Sequence, residues 1–139
     1  MSQALAAPWS LPRFGATPTI SLLDSIAEGL PFNAADTLAA ALSPTDPAFK
    51  YRLVPKATYA RRKIARRLSP QESERLVRLA RIWSLALDVW KDEDAARRFL
   101  TGRHVLLSQR TALDVALDSE LGGKMVEELL ARAAYSTAI

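Results

Sequence analysis

The chain lacks cysteine altogether and has a single histidine, His104, among its 139 residues. The absence of cysteine excludes disulfide bonds, thiol catalysis and thiolate metal sites, and it suits a reducing cytoplasm. One histidine is too few for an imidazole metal site. Apolar runs of membrane-spanning length and the pattern of a signal peptide are also missing. The sequence therefore predicts a cytoplasmic protein without a metal, a cofactor or a membrane partner.

The charge that the chain does carry is unevenly distributed. Its net charge is +4, from 19 Lys and Arg against 15 Asp and Glu. Residues 1–68 hold nine basic and four acidic side chains, a balance of +5, whereas residues 69–139 hold ten and eleven, a balance of −1. This division predicts an anionic partner for the first part and a different role for the second.

The clearest single element is a long helix between Ser69 and Trp90. Ser69 and Glu72 have the capping-box spacing of a helix start, and Pro70 falls at the first helical position. Apolar residues then recur every three or four positions, at Leu76, Leu79, Ala80, Trp83, Ala86, Leu87 and Trp90. Most of this face is expected to lie in the core. Apolar surface beyond the needs of one chain would form a homodimer interface, with the candidate residues Leu79, Trp83, Leu87 and Trp90.

Shorter helical patterns flank the long helix, and no segment alternates like a strand. Helices are predicted over 20–29, 34–42, 47–53 and 55–66 before it, and over 93–100, 111–118 and from 119 onwards after it. The predicted N-caps are Asn33, Asp46, Asp92 and Ser119, and Thr111 together with Asp114 indicates a short helix. In the loop over 103–110 the sequence predicts burial of Val105, Leu106 and Leu107, and residues 1–19, with three prolines, are expected to form an irregular arm. The fold class is therefore all-α.

One of these helices, from Pro55 to Arg67, is strongly basic, with six Lys or Arg among its thirteen residues. A short helix precedes it across a tight turn without the usual glycine, so the pair has the outline of a helix-turn-helix. Candidate base contacts are Lys56, Thr58, Arg61 and Arg62, and candidate phosphate contacts are Lys63, Arg66 and Arg67. The alternatives are a solvated basic face, or a face that pairs with an acidic protein.

The residues around the start of the long helix resemble a known family. The pattern of the Xre/MbcA/ParS-type antitoxins is matched by the runs Thr58-Tyr59-Ala60-Arg61-Arg62-Lys63, Arg67-Leu68-Ser69-Pro70-Gln71-Glu72-Ser73-Glu74-Arg75-Leu76 and Arg78-Leu79-Ala80. Similar segments continue at 95–100, 111–114 and 126–132, and end in Tyr135. The chain departs from the family pattern where Ser108-Gln109 replaces Gly-Gly, Ala112 replaces Pro, and Ser136 replaces Gly.

This resemblance implies an antitoxin of a bacterial type II toxin–antitoxin system. The family's N-terminal part is a helix-turn-helix, and its C-terminal part binds a RES-domain toxin, which consumes NAD by degrading it or by transferring ADP-ribose to a protein. The antitoxin covers the toxin's active site, the pair commonly represses its own promoter, and members dimerise. The implied domains are an irregular arm over 1–19, a DNA-binding helix-turn-helix region over 20–68, and a toxin-binding domain over 69–139.

Within that last domain, the final helix is the candidate surface for the toxin. Met125 and Leu129 can adapt to an apolar groove on a partner, and polar or amphipathic residues stand beside them. The candidate contacts are Lys124, Met125, Glu128, Leu129, Arg132, Tyr135 and Ser136. Gly122 and Gly123 are expected to give the helix local freedom.

Two other classes of function remain open at this point. The first is a transcriptional repressor whose C-terminal half only dimerises. The second is an enzyme, against which the sequence speaks because it has no constellation of nucleophile and base, or of metal ligands. His104 has no evident partner, and the acidic run Asp92-Glu93-Asp94 suits a helix start better than a metal ion. We therefore predict no catalytic residues.

Overall fold

A computed structural model describes residues 20–138 of the chain, so the predicted arm over residues 1–19 lies outside the described residues. The described part contains eight α-helices and one two-stranded hairpin, which confirms the all-α prediction. One compact unit ends at Val77, and a second begins at Arg78. Among the described residues no helix is both long enough and apolar enough to cross a membrane.

Four short helices and the start of the long one make up the first unit. They are α1 (Ile20–Glu28), α2 (Asn33–Leu42), α3 (Lys50–Leu53), α4 (Lys56–Ala65) and the N-terminal part of α5 (Pro70–Trp90). Their core contains Leu30, Leu38, Leu42, Phe49, Leu53, Val54, Leu68 and Leu76, each at most 6% exposed. The backbone turns directly from α3 into α4 at Val54 and Pro55, as a helix-turn-helix requires.

Two predicted starts in this unit are wrong in detail. Asn33 does not cap α2, because the chain enters this helix through a backbone turn in which Ala34 N–H donates to Pro31 O at 3.0 Å. The third helix begins at Lys50 rather than at residue 47. Asp46 Oδ1 does accept from Ala48 N–H at 3.0 Å, but the bonds that follow have the three-residue spacing of tight turns.

The capping box at the start of α5 forms as predicted. Glu72 N–H donates to Ser69 Oγ at 3.1 Å, and Ser69 N–H donates to Glu72 Oε1 at 2.8 Å. The neighbouring Ser73 is fully buried and accepts from Leu30 N–H at 2.8 Å, which ties the helix start to the segment before α2. These bonds fix the first turn of the long helix within the first unit.

The second unit contains the rest of α5, then α6 (Glu93–Thr101), strand β1 (Arg103–His104), a 3-10 turn (Val105–Leu107), strand β2 (Arg110–Thr111), α7 (Ala112–Asp118) and α8 (Glu120–Ala138). The two strands pair antiparallel, with Arg103 opposite Thr111 and His104 opposite Arg110. Two predicted N-caps form here, because side-chain oxygens of Asp92 and Ser119 accept backbone N–H groups at 2.8 and 3.0 Å. Thr111 also caps its helix, since its Oγ1 accepts from Asp114 N–H at 3.0 Å.

Gly122 and Gly123 do not give α8 local freedom, and that prediction is wrong. Both lie buried in the first turns of the helix, Gly122 against α7 and Gly123 against Arg78 of α5. A Cβ on Gly122 would stand 2.0 Å from Val115 O, and one on Gly123 would stand 2.9 Å from Arg78 Cδ. Gly122 has no room for a larger residue because its neighbour is a backbone atom, whereas the neighbour of Gly123 is a side chain.

Candidate functional site

The basic helix α4 is held on the first unit by its aromatic residue Tyr59. The Tyr59 ring packs edge to face against Phe32 and Tyr51, with ring centroids 4.8 and 5.3 Å apart. Its hydroxyl donates to Asp36 Oδ1 at 2.7 Å. Burial, reinforced by this hydrogen bond to a carboxylate, raises the pKa of Tyr59 well above its ordinary value. The raised pKa extends the pH range in which the phenol donates to Asp36 and holds the helix in place.

Arg62 is the second inward-facing residue of α4. Its Nε donates to Glu72 Oε1 at 2.8 Å, and the same oxygen also serves the capping box of α5. Burial alone would raise the pKa of the Glu72 carboxyl, but the hydrogen bonds from Arg62 and Ser69 outweigh it and hold the pKa below its ordinary value. Arg62 therefore joins α4 to the start of α5 instead of pointing freely toward a ligand.

The remaining candidate DNA contacts lie mostly on the outer surface of α4 and just beyond it. Exposed members of the set are Lys56, Arg61, Lys63, Arg66 and Arg67, whereas Thr58 and Arg62 are half-buried. Thr58 Oγ1 accepts from Arg61 at 3.3 Å, and Arg67 donates to Gly29 O at 2.8 Å. Five of the six candidate cations are therefore exposed, on α4 and just after it.

An apolar side chain that the sequence did not single out lies among these cations. Ile64 is 85% exposed, and Ala57 and Ala60 are exposed on the same side of the helix. Their three- and four-residue spacing, opposite the inward-facing Tyr59, is the signal that could have revealed them.

In the second unit the hairpin between α6 and α7 overturns one prediction. Leu107 is buried at 4% exposure, but Val105 and Leu106 are 78% and 60% exposed. The reason is the tight turn, in which Ser108 N–H donates to Val105 O at 3.0 Å and Gln109 N–H donates to His104 O at 2.8 Å. This closure turns only Leu107 of the three toward the core.

A groove runs along the hairpin, α7 and the start of α8. It has a volume of about 640 Å³, and its apolar lining includes Leu106, Leu107, Val115, Leu121 and Met125. A smaller hollow of about 220 Å³ lies on the other side of Leu106 and Met125 and is lined also by Glu128, Leu129 and Arg132. We call these two hollows, together with the exposed apolar side chains Leu106, Leu121 and Met125 that line them, the hairpin groove.

The candidate toxin contacts lie along one exposed face of α8. Leu129 is half-buried, and the exposed members are Lys124, Met125, Glu128, Arg132, Tyr135 and Ser136. Met125, Glu128, Leu129 and Arg132 line the smaller hollow beside Leu106. Leu121, which is 71% exposed, was missed, although it precedes Met125 by four residues on the same helical face.

The four candidate dimer contacts separate into two groups. Leu79 and Trp83 are each 1% exposed and belong to the chain's own core, whereas Leu87 and Trp90 are half-buried. A partner chain could therefore contact Leu87 and Trp90 directly, whereas Leu79 and Trp83 are covered by the chain's own residues.

His104 and the acidic residues at the start of α6 have structural partners. His104 Nε2 donates to Phe99 O at 2.9 Å, and its ring lies 4.8 Å from the Phe99 ring. Arg97 pairs with Glu93 at 3.0 Å and with Asp94 at 3.1 Å, at the start of α6. Within residues 20–138 no cluster of three or more His, Asp or Glu side chains has the geometry to hold a metal ion.

Two family models match the chain, one for each half. The model described as the antitoxin Xre-like helix-turn-helix domain matches residues 21–81. The model described as the antitoxin Xre/MbcA/ParS C-terminal toxin-binding domain matches residues 85–135. The chain belongs to the Xre/MbcA/ParS-type antitoxins. No curated protein matches this antitoxin significantly.

Family membership connects the two surfaces to two kinds of partner. The exposed cations of α4 lie within the matched helix-turn-helix domain, which supports DNA binding. The hairpin groove lies within the matched toxin-binding domain, which supports a toxin as protein partner. The antitoxin is therefore a component of a toxin–antitoxin system with a DNA-binding part and a toxin-binding part.

Proposed function

We propose that this antitoxin belongs to a type II system and neutralises a RES-domain toxin that consumes NAD. The toxin would degrade NAD or transfer its ADP-ribose to a protein, and the antitoxin would cover the toxin's active site. The proposal is supported by the resemblance of residues 58–80 and the later segments to antitoxins of such toxins. The antitoxin itself is expected to have no enzymatic activity and no cofactor.

The observation that carries the toxin-binding part of the proposal is the hairpin groove. Leu106, Leu121 and Met125 are 60%, 71% and 45% exposed and line one groove within the matched toxin-binding domain. Clustered exposed apolar side chains of this kind mark protein–protein interaction sites. Charged side chains at the edge of the groove, among them Arg110, Asp118 and Glu128, provide a polar rim around the apolar centre.

The contacts that we assign to the toxin come partly from the sequence and partly from the structure. From the sequence come Lys124, Met125, Glu128, Leu129, Arg132, Tyr135 and Ser136, and from the structure Leu106 and Leu121 are added. All of them fall within residues 69–139, the predicted toxin-binding domain. They lie on the hairpin and α8, so one partner surface would meet two elements of the second unit.

DNA binding by the basic helix would serve repression of the antitoxin's own operon. The five exposed cations would contact phosphates and base edges, within the predicted DNA-binding region of residues 20–68. We assign operator contact to Lys56, Arg61, Lys63, Arg66 and Arg67, with Thr58 and Arg62 in supporting positions. The cytoplasm, where the operon and NAD are both present, is the expected location.

The test of the proposal is co-purification from the native host, followed by mass spectrometry and by sequencing of the adjacent reading frame. We expect the tagged antitoxin to retain the product of the adjacent gene, and that product to consume NAD once it is separated. If the antitoxin retains no product of a neighbouring gene but still binds its operator, the result would favour a repressor whose C-terminal half only dimerises.

A further inference from the structure

The outer face of α4 carries an apolar stripe in the middle of its basic surface. Ala57, Ala60 and Ile64 are all exposed, and Ile64 keeps 85% of its surface accessible. Spacings of three and four residues place them in one row on the helix, opposite the inward-facing Tyr59 and Arg62. No residue of α4 is buried, so the helix offers this whole outer side to a partner.

Cations border the stripe on both sides. Arg61 lies along one edge, and Lys56 and Lys63 lie along the other, as the 100° turn per residue of a helix places them. A partner that fits this face must therefore be polyanionic at its edges and must offer an apolar group at its centre. Duplex DNA has this arrangement in the major groove, where phosphates flank the base edges and the thymine 5-methyl is an apolar group at those edges.

This inference rests on the proposed operator binding. We propose that Ile64 is a specificity-determining residue that contacts a thymine methyl group in the major groove. The two alanines make this contact possible, because their small side chains allow the helix axis to approach the base edges closely. Arg61 is positioned beside the stripe to contact a neighbouring base or phosphate. The operator half-site therefore contains a thymine at the position that faces Ile64.

The experiment measures affinity for the antitoxin's own operator, after footprinting, with each protected thymine replaced in turn by deoxyuridine. This change removes one methyl group and preserves base pairing. For the wild-type chain we expect one replaced position per half-site to weaken binding about fourfold, the effect of one lost apolar methyl contact. For Ile64→Ala the same replacement should have no effect.

Lys63→Ala is the matched control, because Lys63 is an exposed neighbour with charge but no apolar contact at its tip. We expect this variant to bind both duplexes more weakly by the same factor, so its sensitivity to deoxyuridine persists. Ile64 is exposed, so Ile64→Ala should keep the wild-type thermal midpoint.

Four outcomes would overturn the proposal. The wild-type chain could bind its operator with no sensitive thymine, in which case DNA binding stands and only the role of Ile64 fails. Ile64→Ala could retain the sensitivity, or it could lower the mass of the free protein in light scattering, which would assign the stripe to a second copy of the chain. Complete absence of operator binding by the wild-type chain would overturn both the proposed repression and this inference.

Discussion

Single residues decide the geometry of both units, and Gly122 is the sharpest case. A Cβ at this position would stand 2.0 Å from Val115 O, a backbone atom that cannot move without shifting α7. Gly122→Ala should therefore destabilise the protein by about 2 kcal/mol, as overpacking does. If the glycine served flexibility instead, alanine would stabilise the helix by roughly 1 kcal/mol.

The sign of this effect can be measured by urea unfolding followed by circular dichroism. Lys124→Ala, an exposed change two residues further along α8, is the control and should alter the free energy of unfolding by less than about 0.5 kcal/mol. A stabilised Gly122→Ala variant would contradict the close approach of α7 and α8.

Glu72 makes the stability of the first unit depend on pH. The folded protein holds its pKa below the ordinary value of 4.5, so the group stabilises the fold above that pH. This contribution is lost as the pH falls from about 4.5 through the depressed folded pKa. We expect Glu72→Gln to cost ~1.5–3 kcal/mol at pH 7, the range for hydrogen bonds to charged groups, and progressively less below pH 4.5.

Thermal unfolding between pH 7 and pH 3 checks this expectation. Glu28→Gln, which removes an exposed carboxylate from α1, is the charge-matched control and should follow the wild-type curve. A difference between wild type and Glu72→Gln that stays constant down to pH 3 would show that the carboxylate is not linked to folding.

At the scale of elements, two adjacent arginines of helix α4 have different environments, although both were candidate DNA contacts. Arg61 is exposed, whereas Arg62 donates to Glu72 at 2.8 Å. Arg61→Ala should weaken operator binding, reduce the slope of log affinity against log salt by about 1, and leave the thermal midpoint unchanged. Arg62→Ala should lower the thermal midpoint, because it leaves a largely buried carboxylate without its partner.

Gel-shift titrations at several salt concentrations, paired with thermal unfolding, distinguish these two roles. An Arg62→Ala variant with the wild-type midpoint and a reduced salt slope would return Arg62 to the set of direct DNA contacts.

Most of the helices, and the caps at Ser69, Asp92 and Ser119, could be predicted from the sequence because their signals are local. The capping box of Ser69 and Glu72 and the cap at Asp92 each depend on residues within three or four positions. The exposure of Leu106 and the close contact at Gly122 depend on how distant segments pack, which no local spacing encodes. The predicted boundary before Ser69 stays a prediction, and the compact units divide at Val77.

The turn of the hairpin contains one departure from the family pattern. Ser108 and Gln109 stand where the family often has two glycines, and their φ angles are 55° and 64°. Glycine adopts this left-handed conformation readily, whereas other residues adopt it at a cost. The turn geometry therefore persists without glycine, and it still presents Leu106 beside Met125.

For the whole molecule, we expect a homodimer through the half-buried residues of α5. The wild-type chain should have about twice its 15.3 kDa mass in light scattering. Leu87→Ser should shift the protein toward the monomer, because a polar group would enter an apolar interface. Ile64→Ser, an equally polar change on the exposed face of α4, is the control and should keep the dimer. A monomeric wild-type chain at all working concentrations would refute the dimer.

We expect the hairpin groove of the second unit to neutralise an NAD-consuming toxin independently of the basic helix. The most direct measurement follows NAD consumption by the purified product of the adjacent toxin gene. Wild-type antitoxin and Arg61→Ala should both abolish NAD loss at a stoichiometric amount, whereas the double variant Leu106→Ser, Met125→Ser should leave it largely intact. Full suppression by the double variant, or NAD loss that the wild-type antitoxin leaves unchanged, would contradict the account.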